Sequence, residues 1–470
     1  MKHFMKRLTG FSLGPIIGAL ISLIQIRILT QLLVADQYGV SGLYRNLILN
    51  IPNFLYIGLD QAFSREFHQA SSKKHLFQQA IIIPIGMGLF LSLIMLIFNL
   101  PIATWLFGDT SAGYIVIWSA LLLISMIIER FVLISIRMQE KAKEYSGFTI
   151  LLKSLIFVTS LAMIAIGVRD YRVVVFGMIF GQLIGDGLLF YRYRNLLHWK
   201  DFNLDRVLVR KLLAFGFPLM VAMSINSVLN TIDSLMLRSF STKDELGYYA
   251  AGIAIVNMIG ILKTAFATFW VPTAYRWHDE GKEMKHYKFI SDAVLFILTA
   301  IFFGILVFRP IIMMILGENY HPVQYILGLL CFPHIMYTLS ETTTLGIVFS
   351  RKTYFNTLVS LLALVPSFIL NLWLTPRWGA IGAATASCGA YIMFYLARTY
   401  FSSRTGFYFS QSKHLLSIGL MLTAAYINTN DTSYRLLITL SLAVMCLLVQ
   451  IPTIKDAYQI WLHPEEWDFN

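Results

Sequence analysis

Long apolar stretches separated by short polar ones dominate the chain. Runs of roughly 20 residues, the length that crosses ~30 Å of hydrocarbon as a helix, fall near residues 11–34, 43–63, 76–98, 112–137, 148–168, 172–192 and 213–240. Seven more fall near 247–272, 289–308, 324–350, 354–375, 379–402, 412–427 and 434–454. The pattern predicts an all-α polytopic membrane protein of about fourteen transmembrane helices.

The polar separators orient these spans. With a cytoplasmic N-terminus, 25 of the 37 Lys and Arg residues lie inside, in clusters such as Arg137-Lys141-Lys143, Arg276-Lys282-Lys285-Lys288 and Arg398-Arg404-Lys413. Lys200, Arg351 and Lys352 belong to the same inside set, and only 7 cations lie outside. Cytoplasmic loops carry such an excess, so both termini are expected in the cytoplasm. A missed span would invert every later loop and erase the bias. No outside connection is long enough for a folded domain. The cytoplasmic stretch NLLHWKDFNLDRVLVRKLL sets apolar and basic residues at helical spacing, which predicts an interfacial helix.

Composition agrees. Hydrophobic residues make up 57% of the 470 and charged residues only 13%, where soluble proteins carry about 25%. The mean hydropathy is +0.67. The net charge of +12 sits in short clusters between spans, so membrane topology explains it and a nucleic-acid partner is not expected. Cys331, Cys388 and Cys446 lie singly in apolar segments, without metal-ligand spacing, so neither a disulfide framework nor a metal site is expected. The apolar run after MKHFMKR is too long for a signal peptide and should persist as the first span.

The two halves repeat weakly. DQYG at 36–39 corresponds to DELG at 244–247, Gly14-Pro15 to Phe217-Pro218, SLIFVTSLAMI from Ser154 to SLLALVPSFIL from Ser360, and LFYRYR to MFYLAR, all at similar offsets. Six spans per copy give both copies one orientation, related by an axis along the membrane normal. The expected organisation is two pseudo-symmetric six-helix lobes, 1–195 and 213–404. A cytoplasmic linker at 196–212 joins them, and 405–470 holds two extra helices and a short cytoplasmic tail.

DQYGVSGLY after the first span and the small-residue run WGAIGAATASCGA at 378–390 resemble segments of polysaccharide flippases in the multidrug/oligosaccharidyl-lipid/polysaccharide exporter superfamily. The resemblance covers nearly the whole chain. It implies two six-helix lobes around a central cavity. Its expected cargo is a polyprenyl-diphosphate-linked oligosaccharide, moved across the cytoplasmic membrane by alternating access for surface polysaccharide synthesis.

Charges inside spans cost ~2.5–3.5 kcal/mol at a helix centre, which makes them functional candidates. Arg27, within LIQIRILTQLL, shares a helix face with Thr30 and Gln31. Arg45 lies one turn inside the second span. For both, a wet cavity competes with snorkelling to the surface. In SINSVLNTIDS, Asn226, Asn230 and Asp233 repeat at i, i+4 and i+7, a face unsuited to lipid; it serves either a cavity or interhelical hydrogen bonds. Arg27 and Asp233 lie on equivalent spans and are expected to approach across a cleft. Lys263, one turn from Gly260, completes the substrate-binding candidates.

Asp60, Glu129, Asp186 and Glu341 are the ion-coupling candidates. For Glu129 and its neighbour Arg130, structural salt bridges to other spans are the simpler reading. For Asp186, which follows Gly177, Gly181 and Gly185, the simpler reading is close helix packing.

No GxxxxGK[ST] motif is present, so an H+ or Na+ gradient is the expected drive and no cofactor is expected. The chain reads as a transporter rather than an enzyme. Its expected partners are the lipid-linked glycan, membrane lipids, a polysaccharide polymerase and chain-length proteins. The alternatives are an ion-coupled multidrug exporter of the same superfamily, or a membrane polymerase or glycosyltransferase of the same pathway.

Overall fold

The computed structural model describes residues 2–199, 202–350, 352 and 354–462. Lys200, Arg351 and the expected tail beyond 462 lie outside the described residues. Eighteen α-helices and two 3-10 turns account for nearly all of the described chain. The first half of the chain holds α1 (Lys2–Leu32), α2 (Ala35–Leu55), α3 (Leu59–Glu66), α4 (Lys73–Ile97), α5 (Asn99–Phe107), α6 (Gly113–Met138), α7 (Ala142–Ala165) and α8 (Arg172–Arg192). Then follow α9 (Arg206–Phe240), α10 (Lys243–Asp279), α11 (Met284–Val307), α12 (Arg309–Met313), α13 (Leu327–Thr343) and α14 (Leu345–Phe349). The chain continues through α15 (Tyr354–Ser403), α16 (Ser412–Ile427), α17 (Arg435–Val449) and α18 (Ile451–Leu462).

Every expected apolar span coincides with helix. Among the described residues, 7 helices are long and apolar enough to cross a membrane, or up to 9 if two bent pairs each form one span. One of them, the 50-residue α15, is far longer than a bilayer at 1.5 Å per residue. Gly379 (φ 52°, ψ −129°) breaks it into arms 354–378 and 380–403. A Cβ on Gly382 would collide with the Leu374 carbonyl, so the arms fold back closely. The expected eleventh and twelfth spans are thus a helical hairpin.

The second expected span is broken. Ile57 (φ 49°) and Gly58 (φ 68°) both take left-handed backbone between α2 and α3, a conformation costly for a β-branched residue. A Cβ on Gly58 would overlap the Gly216 backbone, and one on Gly216 would lie 2.8 Å from the Ile57 carbonyl oxygen. The break therefore rests, backbone on backbone, on the early turns of α9.

Contacts divide the chain into two compact units, Met1–Thr231 and Ile232–Asn470, with the boundary inside α9. The connection before α9 is not the expected interfacial helix. Residues 193–196 form turns, 202–205 are irregular, and the helical spacing belongs to the start of α9. The buried Gln78 and Gln79 of α4 fasten it instead. Gln78 donates to the His198 carbonyl (3.0 Å) and Gln79 to the Asn203 carbonyl (2.7 Å), while the Gln79 carbonyl oxygen accepts from the Asp205 N–H (3.0 Å). Asp205 Oδ1 then caps α9 by accepting from Val207 N (3.0 Å) and Leu208 N (2.9 Å).

Each unit has an aromatic cluster. In the first, Tyr56, Phe63, Phe67, Phe77 and Phe131 meet edge to face. In the second, Trp270, Trp277, Tyr287, Phe349 and Phe407 do so. Such pairs add about 0.5–1.5 kcal/mol each beyond area burial.

The DQYG and DELG motifs perform one task twice. Gln37 Oε1 accepts from Tyr171 N (3.2 Å) just before α8, and Glu245 Oε2 accepts from Ala380 N (2.7 Å) at the start of the second arm of α15. The first turn of a helix leaves N–H groups without intrahelical partners, and each motif supplies an acceptor there.

Candidate substrate and coupling site

In the first unit, Arg27 is exposed on α1 together with Gln31, whereas Thr30 is buried and donates back to the Ile26 carbonyl (2.9 Å). The expected stripe therefore splits, because a threonine hydroxyl in a helix is satisfied by the preceding turn. Arg45 is half-buried on α2, within electrostatic range of Tyr38 and of Lys153 on α7.

The polar face of α9 divides in the same way. Asn53 donates to Ser227 Oγ (2.9 Å), Asn46 donates to the Asn230 carbonyl (3.1 Å), and Asn50 donates to Asn46 Oδ1 (2.7 Å). Asn46, Asn50 and Asn53 thus form a second ladder at i, i+4 and i+7 on α2. The sequence reading passed over them, although their spacing is the one it recognised in α9. Asn226 is half-buried and Asn230 exposed.

The four acidic candidates find distinct settings. Asp60 is fully buried on α3 and accepts from Arg130 Nη2 of α6 at 2.8 Å and from Gln61 at 2.8 Å. That is the salt bridge expected of Arg130; it occupies Oδ2, and among the described residues the buried Oδ1 of Asp60 has no hydrogen-bond partner. Glu129 points instead to Gln182 of α8, whose amide donates to Glu129 Oε2 and to Asp186 Oδ1, both at 2.9 Å. Ser125 donates to Asp186 Oδ2 at 2.6 Å. One amide thus bridges two carboxylates on the apolar helices α6 and α8. Asp186 also sits in the expected tight packing: Cβ atoms on Gly177, Gly181 and Gly185 would strike Ser160, Ile156 and Leu152 of α7.

In the second unit, Asp233 is buried on α9 and held by neutral donors. Tyr249 donates to Oδ2 at 2.6 Å, Ser387 donates to the same oxygen, and Asn371 donates to Oδ1 at 2.7 Å. Asn371 and Ser387 come from opposite arms of the α15 hairpin. Both oxygens of Asp233 are therefore taken within its own unit by hydrogen bonds that satisfy a buried carboxylate.

Lys263 joins a cluster that the sequence showed only in part. Its ammonium lies 3.4 Å from the centroid of the Tyr337 ring on α13. Arg398, on the second arm of α15, lies 5.2 Å from the same ring and 4.8 Å from that of Phe394, which stacks on Tyr337 at 5.6 Å. Arg398 Nη1 donates to Glu341 Oε1 at 2.7 Å and to Ser340 Oγ at 3.0 Å. Glu341 is thus the counter-ion of Arg398, with side chains 14% and 13% exposed. Trp270 of α10 donates to the Glu341 carbonyl (3.3 Å) and fixes that turn. Gly260 faces the His334 ring, so the space beside Lys263 is filled by His334. The charge count assigned Arg398 to the cytoplasmic side and so passed over it. Tyr337, three residues after His334 and four before Glu341, gave the signal that would have found it.

A third polar cluster ties the last helices to the unit. Lys413 Nζ donates to Asp292 Oδ2 at 2.5 Å, and His414 Nε2 and Ser291 Oγ lie 3.0 Å apart. Gln450 donates to Thr299 and to Ser417, both at 3.1 Å. Among the described residues, no group of three or more His, Cys, Asp or Glu side chains is placed to hold a metal ion, and all three cysteines are free and buried.

Comparison with known proteins places this arrangement. Residues 6–278 match the model of the family described as polysaccharide biosynthesis protein. A putative O-antigen transporter from Shigella flexneri is 24% identical over 211 residues, 44% of this chain and 50% of that protein. The chain thus matches about half the length of that relative. Among solved structures, the lipid II flippase MurJ in an inward closed conformation is similar with a TM-score of 0.73 at 15% identity, covering 96% of this chain and 99% of that one. An inward-facing multidrug resistance MATE family transporter gives 0.60 at 13%, covering 83% and 95%. A point mutant of the Vibrio cholerae MATE transporter VcmN gives 0.61 at 15%, covering 86% and 96%. With the MurJ and MATE fold shared over most of its length and the family model matched over more than half of it, the chain belongs to the family described as polysaccharide biosynthesis protein.

Proposed function

We propose that this protein flips a polyprenyl-diphosphate-linked oligosaccharide across the cytoplasmic membrane, by alternating access, to supply surface polysaccharide synthesis. One observation carries the reading: Lys263 and Arg398 both lie against the Tyr337 ring, and the carboxylate of Glu341 pairs with Arg398. A diphosphate leaving the headgroup region needs compensating cations. Arginine offers paired donors to phosphate oxygens, lysine a point charge. In the first unit, Arg27 and Arg45 are further cations, and the exposed amide of Asn230 suits sugar hydroxyls.

The coupling ion, H+ or Na+, is assigned to Glu129 and Asp186, because Gln182 holds both carboxylates and, among the described residues, no cationic side chain is hydrogen-bonded to either. A polysaccharide polymerase and chain-length proteins would act on the product. An exporter of cationic drugs is disfavoured by the excess of cations over carboxylates around Tyr337. A polymerase or glycosyltransferase would need a sizeable outside loop carrying catalytic groups.

The test is deletion of the gene, followed by assay of the lipid-linked glycan by leaflet. Accumulation in the inner leaflet, reversed by the wild-type gene and not by Lys263→Ala, is the expected result. Unchanged flipping in a deletion strain with no second flippase would overturn the reading.

A further inference from the structure

The Arg398 guanidinium is only partly used. Nη1 serves Glu341 and Ser340, while Nε is buried and has no hydrogen-bond partner. Lys263 has the face of a neutral ring as its close neighbour, with Glu341 as the anion that acts on it. Among the described residues, two cations thus share one carboxylate. A guanidinium has five donors arranged to take an anion bidentately. A carboxylate on one nitrogen is a partial occupant that a group with more oxygens and more charge can displace.

We propose that Glu341 is a built-in competitor for the anionic group of the substrate. At rest its carboxylate occupies Arg398; a phosphate or diphosphate on a lipid carrier takes its place, engages the spare Nε donor and draws Lys263 off the Tyr337 ring. The bare ring face then becomes available to the first sugar. The inference rests on the reading that the cargo carries a diphosphate, and it assigns Glu341 a role in setting affinity rather than in carrying the coupling ion. The geometry suits such an exchange. Trp270 holds the Glu341 backbone, so the carboxylate can swing while its helix turn stays fixed, and all four side chains are partly accessible.

The full-length protein in lipid nanodiscs is the material for the test, with farnesyl diphosphate as probe, farnesol as the uncharged control and inorganic pyrophosphate to separate a lipid-borne from a free anion. Glu341→Gln removes the competitor and should tighten farnesyl diphosphate binding at least about tenfold, a shift readily resolved in Kd. Arg398→Gln should weaken it by a similar factor. The double variant, which removes the Arg398–Glu341 pair as a unit, should bind as weakly as Arg398→Gln alone. Should Glu341→Gln fail to fold, Glu341→Asp, with its shorter reach, is expected to bind more tightly than wild type.

Unchanged or weaker binding in the Glu341 variants, or an equal change for farnesol, would make Glu341 a structural counter-ion and overturn the inference. Tightening for pyrophosphate alone would do the same, by assigning the site to free anions. Absence of farnesyl diphosphate binding also overturns it. If the wild-type gene still restores surface polysaccharide in the deletion strain, the flippase reading survives that failure.

Discussion

Single side chains in this protein are decided by who reaches them, and hydropathy does not report that. Lys413 has the sequence context of a cytoplasmic loop cation, yet it meets a carboxylate that is 3% exposed, Asp292, at 2.5 Å. Breaking a buried pair by removing one partner typically costs about 3–5 kcal/mol, whereas replacing both can be neutral. Lys413→Ala should therefore lower the melting temperature measured in detergent, and Asp292→Asn combined with Lys413→Met should recover most of the loss. A double variant as unstable as the single one would show that the pair does not act as a unit. Arg398 was obscured for the same reason as Lys413: a positive residue near a span end counts equally as topology signal or as buried partner, and only the third dimension separates them. Arg27, Arg45 and Lys263 were legible because each interrupts an apolar run. Tyr337, Gln182 and Asn371 interrupt nothing and were not.

Helices behave more predictably. The glycines of α8 read correctly as packing positions, since glycine at every fourth residue lets backbones approach. A Cβ on Gly181 would stand 2.5 Å from the Ile156 Cα, whereas one on Gly187 meets nothing within 4 Å. Gly181→Val should abolish the monodisperse folded peak in fluorescence-detected size-exclusion chromatography, and Gly187→Ala should leave it unchanged. The start of α9 offers a pH test. Backbone N–H donation from Leu208 holds the Asp205 carboxyl below its ordinary value of 3.8, and His75 adds to the effect. A depressed carboxyl contributes stability that is present above its ordinary pKa and is lost as pH falls through the folded value. Amide hydrogen exchange at 207–209, corrected for intrinsic rate, should therefore stay protected at neutral pH and rise in acid. Asp205→Asn should shift that loss, since its amide oxygen still caps but no longer titrates. The interfacial helix expected just before α9 fails because Asp205 caps the helix there and Gln79 holds the residues before it in irregular form.

At the scale of the whole chain, the helix positions were legible and the breaks were not. A hydropathy window averages over the left-handed residues at 57 and 58 and over the reversal at Gly379, because one or two backbone angles change nothing in the mean. The repeat is carried by a function of its motif: Gln37 and Glu245 each cap a later helix of their own unit. The expected orientation is open to single-cysteine labelling, since Cys331, Cys388 and Cys446 are all buried. With both termini cytoplasmic, Thr110→Cys should react with an impermeant maleimide on intact cells, and Ser71→Cys only after permeabilisation. The opposite pattern would invert the topology.

The joint where α3 leaves α2 has a consequence for how such chains diverge. Gly58 and Gly216 each occupy the clearance the other leaves, so a methyl group on either has nowhere to go. Relatives that keep this joint should hold both positions small and drift at them together, as a covarying pair 158 places apart. Lineages that have enlarged one of the two should have dissolved the break in the second span as well.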